Sequence, residues 1–200
     1  MRNLLLCAMI GLHGVVAAQP DTKWLEGLER YWAEIDSAYR DTVHSPLPKE
    51  ERGHFTQLPR FPADKAYRVS ARFEAGAGEV FGMKTSTERE PKYQPMGVLH
   101  FTLEGVEEQL TVYRNIDLSR LDGYRNYLFV PFTDLTNGES TYGGGRYLDL
   151  EGPLEELVEL DFNRAYNPYC AYGGAYSCPI PPEENHLEVA IRAGVLKHHD

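Results

Sequence analysis

The chain has 200 residues, 42% of them hydrophobic, which is enough to build one globular domain with a sizeable core. Its formal net charge at pH 7 is −10. Such a charge repels phosphate backbones and anionic lipids, and no local basic patch offsets it. Nucleic acids and membrane surfaces are therefore disfavoured as partners.

The amino terminus has the pattern of a secretory signal peptide. Arg2 precedes an apolar run, and Val16-Ala17-Ala18 provides a small-residue cleavage pattern before Gln19. The run is too short for a transmembrane helix, which needs roughly 20 apolar residues. We therefore predict that residues 1–18 are removed and that the mature protein is exported, periplasmic or secreted, with no membrane contact after cleavage.

One amphipathic helix is predicted over 22–41, with Asp21 as its cap. Its apolar residues recur at three- and four-residue spacing: Trp24, Leu25, Leu28, Trp32, Ile35 and Tyr39. Four prolines then predict a connecting arm without regular structure over 44–63. The helix and arm form the segment 19–63, which we expect to pack on a β domain over 64–196 in a single globular unit.

Alternating apolar and polar residues predict short strands from Tyr67 onward. They cover 67–73, 80–83, 99–103, 110–112, 128–130, 145–150, 156–162 and 186–193. Close spacing without intervening helices is typical of an antiparallel barrel or sandwich. The predicted fold is thus mainly β, with about eight strands preceded by the amphipathic N-terminal helix.

An arginine on an apolar strand face is the most unusual feature. In the strand that follows three glycines, Arg146 lies on the core side, whereas Tyr147 and Asp149 lie on the other. A buried guanidinium must be paired, so Asp134 or Glu139 in the preceding turn is expected to reach it. Two interpretations stay open: an internal salt bridge, or an anion clamp at the mouth of the barrel.

Polar side chains surround the end of the strand 156–162. They either tie irregular backbone together beside Pro168 or line a polar pocket with the arginine. The predicted ligand-binding set is Tyr142, Arg146, Asp161, Asn163 and Asn167. The expected ligand is a small molecule with an anionic group.

The three glycines do not make a phosphate loop, because a strand and not a helix follows them. They predict a tight bend or the close passage of another segment.

Four tyrosines follow, at positions 166, 169, 172 and 176, either as a lid over the open end of the barrel or as a binding face for a ring, a sugar or a protein. Cys170 and Cys178 are the only cysteines after the signal peptide. In an oxidising compartment they are predicted to form a disulfide.

No catalytic signature is complete. If the protein is an enzyme, the residues favour a hydrolase with Asp161 or His186 as general base, although no nucleophile accompanies them. No cofactor or metal site is predicted, because the sequence has no His-Glu-x-x-His motif and no second cysteine pair. The hypotheses are thus a small-ligand binder, an exported hydrolase and a protein-interaction module that uses the tyrosine-rich loop.

Several motifs resemble one family over about 45–195. They are SPL at 45–47, FP at 61–62, YRV at 67–69, TYGGGRYLDL at 141–150, LDFNRAYNPYCAY at 160–172 and CPIPPEENHL at 178–187. Together they resemble the bacterial proteins grouped as domain of unknown function 1684. The resemblance implies export, which is frequent in that family, and implies no catalytic role for any residue.

Overall fold

The computed structural model describes residues 21–41, 43–173 and 176–198, so the predicted signal peptide at 1–18 lies outside the described residues. The helices are α1 (Thr22–Tyr39) and α2 (Lys49–Arg52). The strands are β1 (Arg68–Ala75), β2 (Phe81–Gly82), β3 (Lys92–Leu103), β4 (Val106–Asn115), β5 (Tyr127–Phe132), β6 (Arg146–Glu151) and β7 (Leu157–Asp161). Short 3₁₀ turns connect several of them.

The strands form one antiparallel sheet that curls into a half-barrel. Their order is β6-β5-β4-β3-β1-β7, and β2 pairs with β3 beside this path. The mainly β architecture and the N-terminal helix are confirmed, but the predicted barrel is only a half-barrel that does not close, and its strand count is slightly below the predicted eight. In the described part of the chain no ladder joins β6 to β7, and the strands number seven. The predicted hairpin is β3–β4, whose turn residues Glu104 and Gly105 both have positive φ, as in a type I′ turn.

The predicted strand over 186–193 is not a strand in the structure. Its alternation is correct, since Leu187, Val189 and Ile191 are buried. Its backbone, however, bonds to a loop and to side chains instead of a neighbouring strand; for example, Leu187 N donates to Thr133 O at 2.8 Å. We call residues 186–195 the C-terminal strap.

The two faces of the sheet bury different residues. The first face carries the main core: Ala71, Leu99, Phe101, Leu110, Val112, Leu128, Val130, Leu148, Val158 and Leu160. The C-terminal strap packs into this core through its apolar side chains. The second face carries a smaller, mostly aromatic cluster: Met83, Tyr93, Tyr113, Phe129 and Tyr147.

A bulge in β3 places Tyr93 on the second face. The register shifts between Pro95 and Gly97, so odd-numbered side chains face opposite ways before and after it. Gly97 has φ +151°, and an added Cβ there would lie 2.5 Å from the carbonyl oxygen of Glu74 and 2.6 Å from the ring of Phe73. Only glycine fits this position.

Helix α1 follows the sequence prediction closely. Asp21 accepts a hydrogen bond from Trp24 N, as predicted for the cap. The buried stripe packs against residues of the arm, the tyrosine-rich loop and the strap: Leu47, Leu58, Tyr172 and Val195. Neither helix of the described residues has the length and apolar character needed to cross a membrane.

The connecting arm is not wholly irregular, in contrast to the prediction for 44–63. The four-residue helix α2 begins directly after Pro48. Pro48 lies just outside the helix as its N-cap, so its missing N–H removes no hydrogen bond from the helix. The prolines therefore limit helix length here without preventing a helical turn.

Candidate functional site

Arg146 is completely buried and internally paired. Its Nη2 lies 2.8 Å from Asp134 Oδ2 and donates to the carbonyl of Ile191 at 2.8 Å. Its Nη1 donates to the carbonyl of Ala193, while Nε is sealed from solvent without a partner. The expected partner Asp134 is confirmed, and of the two open interpretations the structure contains the internal salt bridge. Burial lowers the pKa of Arg146, and the neighbouring carboxylate of Asp134 acts in the opposite direction.

Asp161 and Asn163 are brought together beneath helix α1. Asp161 accepts hydrogen bonds from Trp24 Nε1 at 2.8 Å and from Asn163 Nδ2 at 2.8 Å. Asn163 also exchanges two hydrogen bonds with the backbone of Asp64. These polar groups therefore dock the helix and tie the chain around the end of β7, which is the structural alternative left open by the sequence.

The remaining predicted residues do not gather around Arg146. The ring of Tyr142 packs on Gly144, where an added Cβ would lie 2.5 Å away. Asn167 is buried and donates to the carbonyl of Leu196 at 3.0 Å. His186 is exposed, with Nδ1 2.9 Å from Thr133 Oγ1. Within the described chain, no hydrogen bond links Tyr142, Arg146 and Asn167 to one another or to the Asp161–Asn163 pair.

The glycine turn behaves as predicted. Gly145 has φ +88°, and an added Cβ would lie 2.6 Å from the carbonyl oxygen of Phe132 and 2.7 Å from Pro181. Glycine thus permits both a left-handed backbone and the close passage of another segment.

An open aromatic cleft on the second face is the best candidate site. Its volume is about 310 Å³. We call it the aromatic cleft; its lining is Tyr93, Leu118, Tyr127, Phe129, Tyr147, Tyr166, Asn167, Pro168, Tyr169, Tyr176, Ser177, Cys178 and Pro179. Strands β3, β5 and β6 provide the floor, and the tyrosine-rich segment provides the walls.

Strand alternation builds the floor of the cleft. In β5, Leu128 and Val130 point into the main core, so Tyr127 and Phe129 point to the second face. The ring of Tyr147 meets the ring of Phe129 edge-on at 4.7 Å and the ring of Tyr166 edge-on at 5.8 Å. Edge-to-face contacts of this kind hold rings in defined positions, so the floor is preorganised.

Asp149 adjoins the cleft through two of its tyrosines. One carboxylate oxygen, Oδ1, accepts hydrogen bonds from Tyr127 at 2.8 Å and from Tyr166 at 2.7 Å. The side chain remains accessible to solvent although protein atoms surround it, as expected in a concavity. The pKa of Asp149 is raised because these surroundings remove part of its hydration, while the two tyrosine hydrogen bonds act in the opposite direction.

The predicted disulfide is confirmed, since the structure joins Cys170 to Cys178. Cys178 lines the cleft together with Tyr169 and Tyr176, whose rings contact each other edge-on at 5.3 Å. Ser86 anchors the same loop by contacting Cys170 Sγ and the carbonyl of Tyr176 at 3.2 Å. The disulfide therefore shapes the cleft wall.

Another cavity, of about 370 Å³, lies between α1 and the connecting arm. Its arginine, Arg60, is paired with Asp36 at 2.7 Å and lies 4.9 Å from the ring centroid of Trp32. The main cation there is already neutralised within the protein, so we prefer the aromatic cleft. No group of three His, Cys, Asp or Glu side chains in the described ranges is arranged to hold a metal ion.

The fold and the site define a class: an antiparallel half-barrel with one docked helix and an open aromatic cleft. Residues 53–196 match the family model described as Protein of unknown function (DUF1684). The chain belongs to this family, as the resemblance of its motifs implied.

A solved relative shares the fold. The solution NMR structure of the uncharacterized protein from gene locus rrnAC0354 of Haloarcula marismortui is 37% identical, with a TM-score of 0.69. The alignment covers 89% of this chain and 97% of that one. No curated protein matches the chain.

The floor of the cleft is what sequence reasoning missed. Tyr147 and Asp149 were placed on the face away from the core, which reads as a solvent face if the sheet has only one buried side. The run Leu128-Phe129-Val130 carried the missing signal, because apolar residues at consecutive positions indicate a strand that is covered on both faces.

Proposed function

We propose that the protein binds a small organic ligand in the aromatic cleft. The observation that carries this proposal is the concentration of seven aromatic side chains around one open concavity of about 310 Å³. Ligand pockets are typically concave, roughly 300–1,000 Å³ in volume and mostly apolar, with a few placed polar groups. The cleft matches this description.

The proposed ligand no longer needs the anionic group that the sequence predicted. A clamp built on Arg146 requires accessible N–H donors, but its guanidinium is fully buried and its paired donors face Asp134 and strap carbonyls. Moving it toward a ligand would leave Asp134 buried and unpaired, which costs about 3–5 kcal/mol. We therefore base the proposal on the cleft, which shares only Asn167 with the predicted set around Arg146.

A direct test is native mass spectrometry of the protein purified from its own host, followed by binding assays with any retained molecule. Tyr169 lines the cleft and is 48% exposed, whereas Tyr124 is 45% exposed and lies outside the lining. Tyr169→Ala should weaken binding about three- to tenfold, since an aromatic contact contributes ~0.5–1.5 kcal/mol. Tyr124→Ala is the matched control and should leave binding unchanged. Equal effects of the two changes would contradict the proposal.

A second candidate is a protein-interaction surface that includes the tyrosine-rich loop. Exposed apolar residues lie beside the cleft, with Leu121 55%, Tyr124 45% and Tyr169 48% accessible. Such patches often mark interaction sites. Cross-linking in the native envelope tests it: Tyr124→Ala should abolish a specific cross-link while leaving small-molecule binding intact. A cross-link that survives Tyr124→Ala and Leu121→Ala would contradict this candidate.

We propose in addition that the chain is exported, as the signal pattern of residues 1–18 indicates. A disulfide between Cys170 and Cys178 is compatible with an oxidising compartment. Alkaline phosphatase fused after Leu25 should be active in the periplasm. An inactive fusion of normal abundance would contradict export.

A further inference from the structure

The donors and acceptors around the cleft are unequally available. Tyr127 and Tyr166 both donate their hydroxyl hydrogens to Asp149, and Tyr147 donates its own to the carbonyl of Pro179. Each hydroxyl has one hydrogen, so these three tyrosines offer a ligand only lone pairs and ring faces. The lone pairs and the ring faces are both regions of negative potential, so they repel anions and attract cations.

The carboxylate of Asp149 adds a full negative charge beside these rings. Its Oδ1 is occupied by the two tyrosines, but no described residue donates a hydrogen bond to Oδ2 or forms an ion pair with it. The two hydroxyls hold the carboxylate in one orientation beside the cleft, where Tyr127 and Tyr166, but not Asp149 itself, belong to the lining. No Lys or Arg is found among the described residues that line the cleft, and Arg89, which contacts the lining residue Ser177, has two of its donors occupied there.

We infer that the aromatic cleft binds an organic cation, a small molecule that carries an ammonium group, with ring faces of the cleft and the Asp149 carboxylate around its charge. This inference rests on the proposed function and names its ligand class. Aromatic rings recognise methylated ammonium groups through cation–π attraction, and a nearby carboxylate increases the attraction. A bare metal ion is a poorer fit, since one carboxylate supplies too few oxygen ligands.

Three probes of nearly the same shape test the inference: choline, its uncharged isostere 3,3-dimethylbutan-1-ol, and the anion 3,3-dimethylbutanoate. Titrations followed by NMR should show choline binding about tenfold or more tighter than the neutral probe, and the anion binding weakest. Equal or tighter binding of the neutral or anionic probe would overturn the cation inference while leaving the proposed cleft in place. If none of the probes binds and no molecule is retained from the host, both fail.

A charge variant isolates the role of Asp149. Asp149→Asn keeps an oxygen that accepts from both tyrosines, so the cleft geometry should persist, which the ring signals of Tyr127 and Tyr166 can confirm. Choline affinity should fall about tenfold while affinity for the neutral probe stays unchanged. Asp122→Asn, at a side chain that is 97% exposed, is the matched control and should have no effect. Undiminished choline binding by Asp149→Asn would overturn the assignment.

Discussion

The carboxylate of Asp134 and the guanidinium of Arg146 lie 2.8 Å apart, and neither side chain is accessible to solvent. The same guanidinium donates to the carbonyls of Ile191 and Ala193 in the C-terminal strap. The Arg146 side chain therefore supplies hydrogen-bond donors to the strap, which has no neighbouring strand to supply them. It also joins three parts of the chain: β6, the turn after β5 and the strap. We therefore expect Arg146 to stabilise the fold.

Arg146→Met should lower the free energy of unfolding by about 3–5 kcal/mol, because it leaves a buried carboxylate and two strap carbonyls without their donor. Urea unfolding measures this. Arg120→Met provides the control, since Arg120 pairs with Asp117 at 3.3 Å on the surface, where both side chains are more than two-thirds exposed. That change should cost at most about 0.5 kcal/mol. A loss below ~1 kcal/mol for Arg146→Met would show that the clamp does not stabilise the fold.

Helix α1 should depend on the indole of Trp24. Its Nε1 donates to the buried carboxylate of Asp161 at 2.8 Å. Trp24→Phe removes this donor and should lower the free energy of unfolding by about 1–3 kcal/mol. Tyr31→Phe, on the same helix, removes a more exposed hydrogen bond to the carbonyl of Arg164 and should cost less. Chemical denaturation of both variants measures the two losses of stability. A larger loss for Tyr31→Phe than for Trp24→Phe would contradict the role of the Trp24 indole.

The disulfide should contribute mainly by closing its loop. Replacing Cys170 and Cys178 together by serine should lower the free energy of unfolding by about 2–3 kcal/mol, as loop-closure entropy predicts for so short a loop. Choline affinity should also fall, since the wall carrying Tyr169 and Tyr176 is then less ordered. Thermal unfolding and titration of the double variant test both expectations. Unchanged values in both would show that the wall is held by other contacts, such as those of Ser86.

Binding of choline should depend on pH through Asp149. Partial loss of hydration raises the pKa of this carboxyl group, so its charge is lost at a higher pH than the ordinary value of roughly 3.9. The affinity for choline should be highest above the raised pKa of Asp149, and it should decline as the pH falls through that pKa. The pKa values of the facing hydroxyls of Tyr127 and Tyr166 are raised, so both stay neutral throughout. Asp149→Asn should remove the dependence, and an unaltered profile in that variant would assign it to another group.

Local patterns predicted most of the fold. The spacing of Trp24, Leu28 and Trp32 predicted the buried stripe of α1, and alternation located the two strands of the β3–β4 hairpin. Alternation also described the burial of the strap correctly. It did not show whether that segment has a pairing partner, because pairing depends on which backbone lies alongside, and here a side chain of β6 supplies the donors.

The candidate site was harder to predict for a related reason. The sequence drew attention to Arg146 because a charge on an apolar face requires compensation, and that compensation proved to be internal. Tyr127, Tyr147 and Asp149 are ordinary residues at ordinary positions. They come together because β5 pairs with β6, and the bulge before Gly97 adds Tyr93 of β3 to the same face.

Intermolecular nuclear Overhauser effects between the N-methyl protons of choline and the tyrosine rings test the central claim most directly. The account predicts contacts to Tyr127, Tyr147 and Tyr166, which line the cleft, and none to the buried rings of Tyr39 and Tyr67, which lie outside it. At saturating choline, contacts confined to tyrosines outside the cleft, or no contacts to any cleft ring, would contradict it.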